Sequence, residues 1–127
     1  MITGIFVNIP VADPLASRDF FERIGFQVLE KFSGQNSVCL VLEEKIKIML
    51  TEKGMFESML GKTAAAKSTP EVLISLTCDS AEFVKSTTEK ALLLGARKVN
   101  DFEVNEHMFS WAFEDLDGHL WDLHCFK

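Results

Sequence analysis

The sequence has no excess of basic residues and no apolar run long enough to span a membrane. It contains 13 Lys and Arg against 19 Asp and Glu over 127 residues, with a net charge of −6, and its basic residues do not cluster. Nucleic-acid binding depends on clustered Lys and Arg that neutralise phosphates. The first residues also lack the charged start and long apolar core of a secretory signal. These absences predict a soluble, cytoplasmic protein that binds neither nucleic acid nor membranes.

Cysteine is also scarce. Cys39, Cys78 and Cys125 are odd in number, widely spaced and embedded in apolar segments. This pattern indicates neither a disulfide framework nor a thiolate metal site, and it predicts buried, reduced thiols. The 47% hydrophobic content is enough for a single domain of this length to bury a core without disulfide or metal support.

Several motifs that carry chemistry are missing. No glycine-rich phosphate loop, Gly-x-Ser-x-Gly motif or Ser-His-Asp order is present, so the sequence gives no support for nucleophilic catalysis. Asp115 and Asp117 in EDLDGH resemble the start of a calcium loop, but its downstream ligands are replaced by Leu120, Trp121 and Leu123. Aspartates followed by glycine between alternating strands predict a hairpin turn instead.

The same order of elements occurs twice. Residues 3 to 9 and 71 to 77 are short apolar runs rich in β-branched residues, which predicts strands, and a helix start follows each of them. Three further strands are predicted after each helix: FQVLEKF, SVCLVLE and IKIMLT in the first half, and ARKVNDFEV, MFSWAFED and HLWDLHC in the second. The sequence therefore predicts an α+β domain built from two βαβββ modules.

Both helices have start and stop signals. Asp13 is the predicted cap of the first helix, Pro14 its first residue and Gly25 its end, and Asp79 with Glu82 resembles a capping box before a second helix. Gly95 closes the second helix, which is predicted to be longer by about one turn. The predicted apolar stripes are Ala16, Phe20, Phe21 and Ile24 in the first helix, and Val84, Thr87, Ala91 and Leu94 in the second.

The duplication predicts a single domain of two repeats. The first module spans 1–51, a linker or lid spans 52–70, and the second module spans 71–127. Met55, Phe56, Met59 and Leu60 have one-turn spacing, so the linker contains a short amphipathic segment that could cover a site or pack in a dimer. Each half buries too little apolar surface to be stable alone, so we expect the modules to pair within one chain or between two.

The sequence resembles the vicinal oxygen chelate superfamily, which includes glyoxalase I, bleomycin resistance proteins and extradiol dioxygenases. The resemblance rests on FVNIPVADPLASRDFFERIGF near the start and FEDLDGHLWDL near the end, and it covers nearly the whole chain. In particular, the sequence resembles a bacterial subgroup of predicted lactoylglutathione lyase-like proteins. The resemblance implies a cupped, curved mixed sheet and a homodimer.

The resemblance also implies four metal-ligand positions, one from each of four strands. These positions fall on Phe6, Met49, Leu73 and Asp122, of which only Asp122 can bind a metal. His124 lies two residues further along the same predicted strand, so it faces the same way, but the two together are too few ligands. We therefore expect no metal and no other cofactor.

Strand alternation predicts which side chains line the cup. The predicted ligand-binding residues are Phe6, Asn8, Met49, Leu73, Ser75, Asp122 and His124, with Thr51 on the same face. Apolar and polar groups alternate in this set, which suits a mostly apolar small molecule fixed by a few hydrogen bonds. The same side chains could instead fill the cup as core, although burying their polar groups without partners would be costly.

Three classes of function remain open from the sequence. The first is a metal-independent protein that binds a small organic molecule, as bleomycin resistance proteins sequester their drug. The second is a lyase or isomerase resembling lactoylglutathione lyase, with Asp122 as general base or residual metal ligand and His124 as its orienting partner. The third is a purely structural interaction module, in which Asp122 and His124 form a hydrogen-bonded pair without catalysis.

Overall fold

A β-strand followed by a helix begins each half of the chain, as the repeat predicts. The computed structural model describes every residue, Met1–Lys127, and divides into two units, residues 1–64 and residues 65–127. The elements of the first unit are β1 (Ile5–Val11), α1 (Pro14–Arg23), β2 (Gln27–Val28), a 3-10 turn (Glu30–Phe32), β3 (Ser37–Glu43), β4 (Ile46–Glu52) and α2 (Lys53–Leu60).

The first unit is a four-stranded mixed sheet with α1 packed on one side. The strand order is β1-β4-β3-β2, in which β1 is parallel to β4 and the other neighbours are antiparallel. Buried side chains alternate along β1 and through most of β4, so one face of the sheet is buried together with α1, whereas β3 has three consecutive buried residues, 38–40. The buried residues on this side are Ile9, Val11, Val38, Leu40, Ile48 and Leu50 from the sheet and Phe20, Phe21 and Ile24 from the helical segment.

Helix α1 starts and ends where its signals predict. The Asp13 carboxylate accepts hydrogen bonds from the backbone N–H groups of Leu15 and Ala16, and Gly25 closes the segment with φ of +105°. One stripe position was wrong, because Ala16 is exposed and Ser17 is buried in its place.

The strand predicted for FQVLEKF was mostly wrong. Only Gln27 and Val28 pair with β3, and the chain then turns as a 3-10 helix. The Ser33 side chain explains the turn, because its hydroxyl accepts from the Cys39 backbone N–H and donates to the Leu29 carbonyl. A side chain thus replaces the ladder hydrogen bonds that a longer strand would make.

Helix α2 occupies part of the predicted linker and starts directly after β4. The Glu52 carboxylate accepts from the backbone N–H groups of Gly54 and Met55 at 3.0 and 2.9 Å, which lowers the pKa of this carboxyl. The helix contacts β1 and β4 and ends at Gly61 in the left-handed region. Helicity in this segment is confirmed, and the apolar side chains Met55, Met59 and Leu60 are exposed.

The second unit repeats the plan with one extra pairing. Its elements are β5 (Leu73–Thr77), α3 (Ala81–Leu93), β6 (Arg97–Lys98), β7 (Glu103–Val104), β8 (Met108–Glu114) and β9 (Leu120–Phe126). The strand order is β5-β9-β8-β6 with β7 also paired to β8, and β5 is parallel to β9. Helix α3 packs on β8 and β9, over the buried side chains of Phe113, Trp121 and Leu123.

Two predictions in the second unit need correction. The cap of α3 is Ser80, whose hydroxyl accepts from the Phe83 backbone N–H at 3.1 Å, because the helix begins one residue later than an Asp79 cap requires. The segment ARKVNDFEV forms two separate two-residue strands instead of one. Lys98 of β6 pairs with Asp101, which lies between the two strands. The Asn100 carbonyl accepts from the Trp111 indole, and these contacts draw the chain out of the ladder.

The three cysteines are all free, but they are not all buried. Cys39 is fully buried, whereas Cys78 and Cys125 are half-buried beside the end of β9. Desolvation raises the pKa of the Cys78 thiol to about 11. None of the three helices combines the length and apolar character needed to cross a membrane.

Candidate functional site

Each sheet has one face opposite the helix of its module, here called the open face. Backbone register decides which side chains share it, because paired residues on neighbouring strands point the same way. On the first sheet Asn8 pairs with Met49, Phe6 with Lys47 and Pro10 with Thr51. The predicted contacts Phe6, Asn8, Met49 and Thr51 therefore share the first open face, but only Phe6 and Asn8 are exposed there; Met49 is half-buried and Thr51 is buried.

The first open face is mainly apolar, and two lysine ammonium groups stand over its rings. Phe6 is 48% exposed, and its ring lies 5.8 Å from that of Phe32. The Lys47 ammonium stands over the Phe6 ring at 5.4 Å from the centroid, and Lys31 stands over Phe32 at the same distance. Asn8 is exposed beside them, so this face offers phenyl rings whose electron-rich faces already have ammonium partners.

The second open face brings the other predicted residues together. In the parallel pair of β5 and β9, Leu73 lies opposite Leu120, Ser75 opposite Asp122 and Thr77 opposite His124. Strand β8 adds Ser110 opposite His124 and Ala112 opposite Asp122. The polar residues are thus flanked by leucines at one end of the face.

Four of these side chains form a connected polar cluster: Ser75, Asp122, His124 and Thr77. The Ser75 hydroxyl donates to Oδ2 of Asp122 at 3.4 Å, and Nδ1 of His124 lies 3.5 Å from the same oxygen. On its other side, Nε2 of His124 is 2.8 Å from the Thr77 hydroxyl oxygen. The side chains of Asp122 and His124 are 27% and 13% exposed, so the cluster is accessible. The contacts with Asp122 and Thr77 hold the His124 ring in place.

His124 contacts a carboxylate through one ring nitrogen and a hydroxyl through the other. A proton on Nδ1 faces the Asp122 carboxylate and lets Nε2 accept from the Thr77 hydroxyl, whereas a proton on Nε2 makes His124 the donor to Thr77. The order carboxylate, imidazole, hydroxyl is a path along which a proton can move. The Phe126 ring packs against His124 at 5.0 Å between ring centroids and fixes the outer side of the imidazole.

Thr77 is the cluster member that the sequence analysis missed. It is the last residue of β5, two positions after Ser75, so the alternation that selected Leu73 and Ser75 predicts it on the same face. Its contact with His124 joins residues 47 positions apart, which only the β5–β9 register determines.

The donor set does not fit the metal that the fold family implies. On the first open face the two implied positions hold Phe6 and Met49, and on the second Leu73 supplies no donor atom. No group of three or more His, Cys, Asp or Glu side chains lies close enough to hold a metal ion. Asp122 and His124 alone leave a divalent transition metal short of its usual three or four protein ligands.

The EDLDGH segment is a hairpin turn, as predicted, and its first aspartate anchors that turn. Asp115 is 3% exposed, and its Oδ1 accepts from the backbone N–H groups of Asp117 and His119. Its Oδ2 accepts from the Trp121 indole at 2.9 Å, and burial raises the pKa of its carboxyl. All three bonds serve the turn and the core, so Asp115 is a structural residue that positions β9.

Comparison with known proteins agrees with this architecture. A sequence profile described as the Glyoxalase/Bleomycin resistance protein/Dioxygenase superfamily matches residues 5–123. The chain therefore belongs to that superfamily, as the two motifs predicted. Among proteins with curated functions, none matches this chain.

Solved structures with the same fold cover nearly the whole chain. A hypothetical protein from S. aureus is 25% identical with a TM-score of 0.84, covering 98% of this chain and 94% of its own. A glyoxalase/bleomycin resistance protein/dioxygenase family enzyme from Burkholderia phytofirmans PsJN is 21% identical with a TM-score of 0.79. The match covers 96% of this chain and 97% of that enzyme. A glyoxalase-related enzyme from Fulvimarina pelagi is 14% identical with a TM-score of 0.82. The match covers 98% of this chain and 88% of that enzyme.

Proposed function

We propose that this protein binds a small organic molecule at the second open face, without a transition metal. The observation that carries the proposal is the polar cluster of Ser75, Thr77, Asp122 and His124, which points away from the helix-covered core. The Asp122 and His124 side chains are 27% and 13% exposed and Ser75 and Thr77 are exposed, so a ligand can reach all four. Leu73, Leu120 and Phe126 supply apolar surface around them, as in most small-molecule sites.

A thermal-shift screen of metabolites and antibiotics tests this proposal. A ligand at a hundred times its dissociation constant adds about 2.7 kcal/mol to the free energy of unfolding. Asp122→Asn should weaken a hit, whereas Glu89→Gln, which removes one exposed charge from α3, should not. A hit that is insensitive to Asp122→Asn and to Thr77→Val would place binding elsewhere. Phe6, Asn8 and Met49, on the first open face, remain predicted contacts.

The absence of a resident metal is a separate part of the proposal. Purified protein should contain far less than one transition-metal ion per chain, because three of the four implied ligand positions hold Phe6, Met49 and Leu73. Elemental analysis measures this directly. About one tightly held zinc or nickel ion per chain, lost on Asp122→Ala, would overturn it.

A lyase or isomerase reaction is the second candidate. The His124 ring favours it, because one of its nitrogens lies 3.5 Å from the Asp122 carboxylate and the other 2.8 Å from the Thr77 hydroxyl. In such an enzyme Asp122 or His124 would take a proton from a carbon next to a carbonyl. Formation of lactoylglutathione by the purified protein, lost on Asp122→Ala and retained on Glu89→Gln, would support this candidate over simple binding.

The resemblance also supports a homodimer, since paired modules of this fold commonly complete one another across a two-fold axis. Light scattering at micromolar concentration should give about twice the 14.3 kDa chain mass. A mass equal to one chain would contradict the dimer.

A further inference from the structure

Two of the three free cysteines meet at the end of the β5–β9 ladder. The Cys78 backbone N–H donates to the His124 carbonyl at 2.7 Å, which completes the parallel pairing of Thr77 with His124. The next position of the same register places Cys78 opposite Cys125. Two thiols that are far apart in the sequence therefore become neighbours across two strands.

The spacing of the strands suits a covalent bond between these residues. Neighbouring strands lie about 4.8 Å apart, and a disulfide needs Cα atoms about 4.4 to 6.8 Å apart. The Cys78 sulfur lies 3.7 Å from the Leu76 carbonyl oxygen, and the Cys125 sulfur lies 3.5 Å from that of Phe126. In this register both carbonyls point towards the neighbouring strand, so each sulfur lies on the side of its strand that faces the other.

Both thiols are within reach of a small oxidant. Cys78 and Cys125 are half-buried, whereas Cys39 is fully buried in the first unit. Desolvation, together with the charges of Asp79 and Cys125, raises the pKa of the Cys78 thiol to about 11. Cys78 therefore stays protonated at neutral pH, which makes Cys125 the sulfur that reacts first with an oxidant.

We propose that Cys78 and Cys125 are a site of reversible oxidation, at which a hydroperoxide converts the two thiols into a disulfide within one chain. The Cys125 thiolate attacks the peroxide, so that an S–O bond forms and the O–O bond breaks, and the departing hydroxide takes up the proton that Cys125 released. The Cys78 sulfur then attacks the sulfenic acid on Cys125, so that the S–S bond forms and the S–O bond breaks. The Cys78 proton leaves with the hydroxide as water. The two thiols lose two electrons, and hydrogen peroxide gains them and becomes two water molecules.

The bond would tie the strands together directly beside the candidate site. Thr77 and His124 immediately precede the two cysteines, and their side chains are 2.8 Å apart. A disulfide at the next position of the ladder makes this contact responsive to the redox state of the protein. The inference does not depend on the proposed binding function.

Peroxide treatment of the purified full chain, followed by mass spectrometry, tests this inference. Hydrogen peroxide in small excess should lower the mass of the chain by about 2 Da, and digestion without a reductant should give one linked peptide that contains Cys78 and Cys125. Dithiothreitol should restore the original mass. The NMR amide shifts of Thr77 and His124 should change on oxidation and return on reduction.

Cysteine variants assign the two roles. Cys125→Ser should abolish the loss of mass, whereas Cys78→Ser should stop the reaction at a sulfenic acid on Cys125 that dimedone traps. Cys39→Ser is the control and should oxidise as the unaltered protein does. Amide spectra of the reduced variants report whether each one is folded.

The peptide map of the unaltered protein decides the inference even if a variant fails to fold. A mass that rises by one or more oxygen atoms without a linked peptide would overturn it. A link that includes Cys39, or one that joins two chains, would also show that Cys78 and Cys125 are not the oxidation site.

Discussion

The turn before the last strand is built differently in the two modules. In the first, the β3–β4 turn is held by exposed Glu43, whose carboxylate accepts from the Lys45 backbone N–H at 3.0 Å. In the second, the β8–β9 turn is held by Asp115, which is buried and accepts three hydrogen bonds, one from the Trp121 indole. With the same topology, the β3–β4 hairpin is therefore solvated and the β8–β9 hairpin is anchored in the core. The anchored hairpin leads into β9, the strand that carries Asp122 and His124.

Removing the buried anchor should have the largest effect on stability. Asp115→Ala leaves the Trp121 indole N–H and two turn N–H groups without their acceptor, and we expect a loss of about 4 kcal/mol in the free energy of unfolding. Glu43→Ala, at the other hairpin, should cost less than about 0.5 kcal/mol. Denaturant unfolding of both variants measures the contrast, and equal losses would show that the hairpins do not differ.

A side chain at the glycine of the second hairpin should also be costly, and a glycine outside the hairpins, Gly34 before β3, serves for comparison. Gly118 has φ of +82°, and a Cβ there would lie 2.8 Å from the backbone oxygen of Lys67. Gly118→Ala should cost about 2 to 3 kcal/mol from left-handed strain and this close approach. Gly34→Ala, where φ is not positive and no atom lies within 4 Å of the added Cβ, is the matched control.

One of the two buried polar residues of α3, Thr88, offers a gain in stability. The Thr88 hydroxyl is fully buried and has no hydrogen-bond partner in the protein. Thr88→Val keeps the shape of the side chain and removes the desolvation penalty, so the free energy of unfolding should rise by about 1 kcal/mol. A thermal melt that falls instead would mean that the hydroxyl is hydrogen-bonded in solution.

The smallest change in stability is expected at the candidate site. Asp122 is accessible, and in Asp122→Asn the amide oxygen still accepts from Ser75, so the free energy of unfolding should change by less than about 0.5 kcal/mol. Ligand binding should weaken in the same variant. A drop of many degrees in melting temperature with unchanged ligand affinity would assign Asp122 to the fold and end its role as a site residue.

Asp115 and Asp122 belong to the same β8–β9 hairpin, but they have different roles. The sequence placed Asp115 in a turn and Asp122 on an alternating strand, and both assignments hold. It did not show that Asp115 also accepts from Trp121, because that bond depends on the indole folding back over the turn. A buried carboxylate with complete partners and an accessible one with spare acceptor capacity cannot be told apart by residue type.

Local physical chemistry determined much of this protein from the sequence. Asp13 before Pro14 and glycine after each main helix act over a few residues, and the structure follows them. Two predictions failed, at FQVLEKF and ARKVNDFEV. In the first, the Ser33 hydroxyl bonds the backbone; in the second, the Asn100 carbonyl accepts from the Trp111 indole and Asp101 pairs with Lys98.

Only the tertiary structure decided which of these elements meet. The parallel register of β5 and β9 places Thr77 beside His124 and Ser75 beside Asp122, across a separation of 47 residues in each case. Alternation fixes the face of each side chain, but a shift by two residues along either strand would keep every face and change every partner. The sequence thus specified the faces, and the packing of the whole sheet specified the site.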